Sequence, residues 1–143
     1  MSGRSKKDKR SLEIAKKIAK NLIAHRLWYS HTQTDLGKAM GVTFQQYQKL
    51  EKCTNRAYAE HLVRICKQFD WSIHAIFSDP DKVLNAWMRK EYPESMRASV
   101  RPNKFYAIKK KWKRLDEDAE KNYYKICRGD PIPFVIDSIE RGN

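Results

Sequence analysis

Acidic residues are scarce in this chain. Over 143 residues, 17 Asp+Glu stand against 30 Lys+Arg, a formal net charge of +13. Such an imbalance points to a polyanionic partner: DNA, RNA or an anionic membrane. Apolar stretches are short, and none approaches the roughly 18 residues a membrane span needs. No apolar h-region follows the basic start MSGRSKKDKRS, which argues against a secretory signal. Cysteine is sparse and odd in number: Cys53, Cys66 and Cys127 are far apart, with no CxxC. This predicts reduced thiols and a cytoplasmic protein, not a disulfide framework. Cys53, His61, Cys66 and His74 follow one another at eight, five and eight residues, which fits no common zinc pattern, so no metal is expected. A Gly-rich phosphate loop, a Ser-His-Asp order and a paired-carboxylate motif are all missing. The chain therefore reads as a non-enzyme that needs no cofactor. It has no internal repeat.

What the chain does have is helical periodicity. Residues 1–10 form a basic arm, expected to be flexible. From Ser11 to Tyr29, Ile14, Ile18 and Leu22 recur every four residues beside Ala15, Ala19 and Ile23. Thr32 is placed to cap a second helix that runs to about Met40, with Asp35 as the acid of a capping box. Gly41 ends it, since a left-handed turn residue without a Cβ carries no steric penalty. Thr43 caps a third helix, Phe44 to about Lys52. A fourth spans about Ala57 to Phe69, with Leu62, Ile65, Cys66 and Phe69 on one face; Asp70 and Trp71 break it. Ser72 caps a short fifth helix carrying Ile73, Ile76 and Phe77, and Ser78-Asp79-Pro80 is a stop. These signals predict an all-α fold: a five-helix domain over 11–79 and a helical extension over 80–143.

The stretch TQTDLGKAMGVTFQQYQKLE, Thr32 to Glu51, carries the most information. Leu36, Met40, Tyr47 and Leu50 are apolar where two crossing helices must share a core. Gly37 is small where they approach most closely, and Gly41 sits at the turn. Together with Arg26, with TNR and with LVRICKQFDWSIHAIF, this segment resembles the phage-repressor/Cro-like (XRE-type) helix-turn-helix family. The resemblance runs from about Leu22 to Phe77 and does not reach the C-terminal 63 residues. It implies a five-helix domain that puts the helix from Phe44 to Lys52 in a DNA major groove and lays the Thr32–Met40 helix across the backbone. It also implies an ion pair between Arg26 and Glu51, read as structural. The sequence departs from the family at Cys53, where glycine is preferred, at His31, which stands for an apolar residue, and at Tyr47, which is bulkier than the customary Ile or Val.

Within that frame the candidate base readers are Phe44, Gln45, Gln46, Gln48 and Lys49. A glutamine amide donates and accepts together, which matches adenine N6 and N7; lysine suits guanine O6 and N7; Phe44 can meet a thymine methyl. Candidate phosphate contacts are Gln33 and Thr43 at two helix starts, Asn55 and Arg56 in the loop after the third helix, and Arg4, Lys6 and Lys7 of the arm. The expected function is sequence-specific binding of double-stranded DNA by a transcriptional regulator of a prokaryote or its phage, at the nucleoid. It would act as a homodimer on a palindromic operator.

The C-terminal region carries its own signals. Asp81 to Glu91 has a helical pattern with Val83, Leu84 and Trp87 on one side, interrupted by Tyr92-Pro93. Lys104 to Arg114 holds six basic residues, no acid, and the aromatics Phe105, Tyr106 and Trp112. This run reads as a solvated helix face, as a second, phosphate- or base-stacking surface for RNA or single strands, or as a membrane-surface helix, although it is not cleanly amphipathic. Asp116 to Cys127 reads as a separate helix that Asp116 could cap. From Leu115 onward seven acids meet four bases, so the charge changes sign. Residues 80–143, with Trp87, Tyr123, Tyr124, Ile126 and Phe134, are the expected dimer or protein-partner surface. An antitoxin-like or anti-activator module that binds a protein through this region is the alternative function. Cys53, read as an exposed loop residue near DNA, raises the prospect of redox sensing.

Overall fold

The first helix of the chain is apolar on two sides, and the rest of the fold is arranged around it. The computed structural model describes residues 6–92 and 101–127; it describes side chains from Lys9 to Tyr92, from Arg101 to Ala119 and at Lys121. The arm residue Arg4 and Phe134 lie outside the described residues, as do the side chains of Lys6, Lys7, Tyr123, Tyr124 and Ile126. Among the described residues there are seven helices and no strand. They are α1 (Lys6–Trp28), α2 (Gln33–Met40), α3 (Phe44–Glu51), α4 (Ala59–Phe69), α5 (Ile73–Phe77), α6 (Pro80–Glu91) and α7 (Asn103–Cys127).

Each short helix is delimited by local chemistry. The Thr32 hydroxyl accepts from the Asp35 N–H at 3.0 Å, and Asp35 accepts from the Thr32 N–H at 2.9 Å. Thr43 and Gln46 repeat this reciprocal box at the start of α3. Gly41 closes α2 at φ 79°, and an added Cβ there would lie 2.6 Å from Nη1 of Arg64. Asp70 ends α4 in the left-handed region at φ 57°. Ser78-Asp79-Pro80 stops α5 and also starts α6. Asp79 Oδ1 accepts from the Asp81 N–H at 3.0 Å, and Pro80 occupies the first turn, where no N–H is needed.

Two apolar clusters flank α1. One joins Leu22 of α1 to Leu36, Met40, Tyr47, Leu50, Leu62, Ile65, Cys66 and Ile76. The other joins Leu12, Ala19, Ile23, Ala24 and Trp28 to Leu84 and Met88 of α6 and to Phe105, Ile108, Trp112, Leu115 and Ala119 of α7. A helix buried on both flanks needs apolar residues around most of its circumference, which is why Leu22 and Ile23 are both inside. Asn21 ties the first cluster down: its amide donates to the carbonyls of Ile76 and Ser78, each at 2.7 Å. The Trp112 indole N–H donates to the Lys20 carbonyl at 2.9 Å, and the Lys104 ammonium lies 3.8 Å from the Trp28 ring centre.

Several expectations are corrected here. The basic arm is not wholly separate from the fold, because α1 begins at Lys6 and Ser11 lies inside it. Ile14 is 58% exposed; Leu12 is the buried residue of that turn. In α5 only Ile76 is buried, while Ile73 and Phe77 remain exposed. Asp116 does not cap a new helix. It lies within α7, where its carboxylate meets Lys16 at 3.0 Å and Lys20 at 2.9 Å, so it clamps α7 to α1. α6 and α7 share a core with α1, so the region after Pro80 packs on the region before it. Among the described residues, no helix is long and apolar enough to cross a membrane.

Candidate nucleic-acid interface

The helix-turn-helix is held by a polar clasp as well as by its core. Arg26 of α1 reaches Glu51 at the end of α3 with both prongs: Nε donates to Oε2 at 2.6 Å and Nη2 to Oε1 at 3.0 Å. Arg26 and Glu51 are both buried. Gln33, at the start of α2, donates to the same Glu51 Oε1 at 3.1 Å, and Gln48 donates to Gln33 Oε1 at 3.4 Å. One carboxylate therefore locks three helices, with its lone pairs matched by charge-assisted donors. Gly37 sits at the α2–α3 crossing, where an added Cβ would come 3.3 Å from the Val42 carbonyl oxygen. Tyr47 fills the space beside the clasp and is completely buried.

With α3 fixed this way, its outer face is defined. Phe44, Gln45 and Gln46 are exposed in its first turn. Gln45 is exposed and makes no hydrogen bond among the described residues, so its amide is presented to solvent. Gln46 keeps one side of its amide in the capping box, where Oε1 accepts from the Thr43 N–H at 2.8 Å. Its NH2 group remains outside that bond. Gln48 and Lys49 are half-buried, and Gln48 turns toward Gln33, away from the outer face expected for it. The Lys49 carbonyl collects the following loop, accepting from the N–H groups of Thr54 at 3.1 Å and Asn55 at 3.3 Å.

The phosphate candidates are distributed around this face. Thr43 is exposed, with its hydroxyl accepting from the Gln46 N–H at 3.1 Å. The Gln33 side chain is directed into the clasp, so the backbone N–H groups of the first turn of α2 are what that helix start offers an anion. Asn55 is half-buried. Arg56 is exposed and donates to the Ser11 hydroxyl at 2.6 Å. Asn55 and Arg56 border a shallow groove floored by Ile14, Ile18 and Leu22. The sequence reading passed over Lys52, exposed directly after α3, and its signal was only that it closes the QKLEK string.

Cys53 occupies a glycine-like position, with φ 60°. It is buried, not exposed as expected, and burial pushes its thiol up to about 11. A thiol in that environment is the opposite of a reactive sensor. Cys53 belongs to the α1–α6–α7 cluster and Cys66 to the other, so the two are apart. Among the described residues, no group of three His, Cys, Asp or Glu side chains is arranged to hold a metal ion.

No family model matches the chain, and no solved structure matches it. Among curated proteins it is similar to y4wC of Sinorhizobium fredii, named an uncharacterized HTH-type transcriptional regulator. The two are 35% identical over 85 residues, 59% of this chain and 57% of that protein. It is also similar to y4aM of the same organism, which bears the same description, at 38% identity over 65 residues, 45% of this chain and 46% of that protein. The chain spans about half the length of the curated relatives it matches.

Proposed function

We propose that this chain is a sequence-specific double-stranded-DNA-binding transcriptional regulator of the phage-repressor/Cro-like (XRE) type, acting on the nucleoid. The observation that carries the reading is the presentation of α3. Its inner face is anchored by Tyr47, Leu50 and Glu51, and its first turn exposes Phe44, Gln45 and Gln46. A helix held so rigidly from behind, with amides at its exposed N-terminal turn, suits insertion into a major groove. The net charge of +13 favours the phosphate attraction that supplies most of the affinity, while base contacts choose the site. Both curated relatives are named HTH-type transcriptional regulators, which supports the same reading.

In this reading Gln45 is the first base reader, with Phe44, the Gln46 NH2 group and Lys49 beside it. Thr43, the α2 N-terminus, Asn55 and Arg56 meet phosphates. The protein binds as a homodimer to a palindromic operator whose half-sites lie about 34–36 Å apart, one turn of the duplex. Selection of bound duplexes from a random pool at about 150 mM salt tests this. An enriched palindrome is the expected result. Enrichment without symmetry removes the dimer, and no enrichment removes site-specific recognition.

A further inference from the structure

The strongly basic run of α7 has no role in the helix-turn-helix, yet the fold brings part of it alongside. Phe105, Ile108, Trp112, Leu115 and Ala119 bury one stripe of α7 against α1. That stripe divides the basic residues into two flanks. Lys104 and Lys109 are engaged: Lys104 donates to the Trp28 carbonyl at 3.2 Å and lies 3.6 Å from Glu91, and Lys109 donates to Asp81 at 2.6 Å. Lys111 and Arg114 lie on the flank away from Lys109, the side on which Lys104 stands two turns earlier. They border a depression lined also by Gln33 at the start of α2, Glu51 and Lys52 at the end of α3, Asp118, and the apolar Ile23 and Leu115. Lys111, Arg114 and Lys52 are all exposed, and Lys111 and Arg114 make no hydrogen bond or ion pair among the described residues. The Glu51 charge is matched by Arg26. Three cations thus stand against Asp118 alone.

We infer that Lys111 and Arg114 of α7, with Lys52, form a phosphate-binding ledge that continues the helix-turn-helix surface, so that α7 grips the duplex backbone next to the strand met by the α2 N-terminus. This rests on the proposed DNA-binding reading and extends it to a region outside the motif. The physical reason is proximity in a uniform polyanion. A duplex carries one negative charge per about 1.7 Å of axis, so cations that share a rim with one phosphate contact face the neighbouring phosphates as well. The ledge adds affinity and no sequence preference, because phosphates carry no base information. The aromatics Phe105 and Trp112 are packed inward, which leaves this face without the stacking platform a single strand would need.

The test uses the full chain and two duplexes of about 30 bp, one random and one from the selection described above, titrated at several salt concentrations. The Lys111→Ala/Arg114→Ala variant is expected to bind both duplexes on the order of tenfold more weakly at 150 mM salt. Its slope of log affinity against log salt is expected to fall by about two, one per lost phosphate contact. Asp118→Asn should bind both more tightly. Lys113→Ala, a charge loss on the opposite flank, serves as the comparison and should stay within about twofold of the parent chain. If the double variant behaves like two copies of Lys113→Ala, with an unchanged slope, the ledge is refuted while DNA binding stands. If the parent chain binds neither duplex, the DNA-binding reading itself fails and the ledge falls with it. All these side chains are exposed, and equal melting temperatures will establish that the variants fold.

Discussion

Arg26 and Glu51 form a buried, two-pronged ion pair, at 2.6 and 3.0 Å, that joins the first helix to the end of the third. The Gln33 amide shares the same carboxylate. Removing one member strands the other charge in the interior, which costs about 3–5 kcal/mol. Arg26→Ala should therefore lower stability by that amount in urea unfolding. Any folded fraction should keep its DNA site preference, because the pair is buried behind the exposed face of α3. A stable variant with altered preference would contradict the structural role.

Tyr47 is buried beside this pair, and its hydroxyl is without a hydrogen-bond partner among the described residues. Burial, and then the nearby Glu51 charge, push its phenol well above the usual range, so the hydroxyl stays neutral. Tyr47→Phe removes an unsatisfied polar atom and keeps the ring. It should be neutral or slightly stabilising. A loss above about 1 kcal/mol in the same unfolding assay would mean that the hydroxyl bonds to the Arg26–Glu51 pair in solution.

Cys53 should resist thiol chemistry. Its thiol is buried and held up at about 11, so little thiolate is present at pH 8. In a Cys127→Ser background, the native chain should react slowly with a disulfide reagent, and unfolding in urea should release Cys53 and Cys66 together. Rapid native labelling at Cys53, with a change in DNA binding, would restore the sensor reading.

His25 makes stability depend on acid. Burial lowers its pKa from 6.5 to about 4, partly opposed by the bond between Nδ1 and the Asn21 carbonyl at 2.7 Å. The folded value is below the unfolded one, so the unfolded chain takes up the proton first. The contribution is complete above pH 6.5 and is lost as the pH falls toward about 4, amounting to about 3 kcal/mol over that window. Melting temperatures from pH 7 to pH 4 should fall steeply for the parent chain and less steeply for His25→Gln. Parallel curves would rule His25 out as the titrating group.

Gln45→Ala should cost about 1–3 kcal/mol on the selected duplex and little on random DNA. Equal losses on both would move Gln45 from base reading to general attraction. Gln48→Ala should differ in kind: it removes a donor to Gln33, so its effect should appear in melting temperature before it appears in site preference.

The elements whose signals are local were legible in the residues. Thr32 with Asp35, Thr43 with Gln46, Gly41, Asp70 and Ser72 each act within a few residues of themselves. Their roles follow from hydrogen-bond reach and backbone sterics alone. The Arg26–Glu51 pair was legible only through a family resemblance, since 25 residues separate its members. The partners of Gln33 and Gln48 were not legible, because a polar side chain on a helix start reads the same whether it meets a phosphate or a neighbouring carboxylate.

By itself, then, the sequence determined an all-helical chain, the capped helix-turn-helix from Thr32 to Glu51 and the excess of positive charge. Tertiary structure decided the rest. Burial of α1 on two sides drew α6 and α7 into one core with it, turned Asp116 from a would-be cap into a partner of Lys16 and Lys20, and buried Cys53. It also set Lys111 and Arg114 beside Gln33 and Lys52. These outcomes depend on which apolar faces meet across the chain. Periodicity reveals that a helix has such a face, but not which distant helix will cover it.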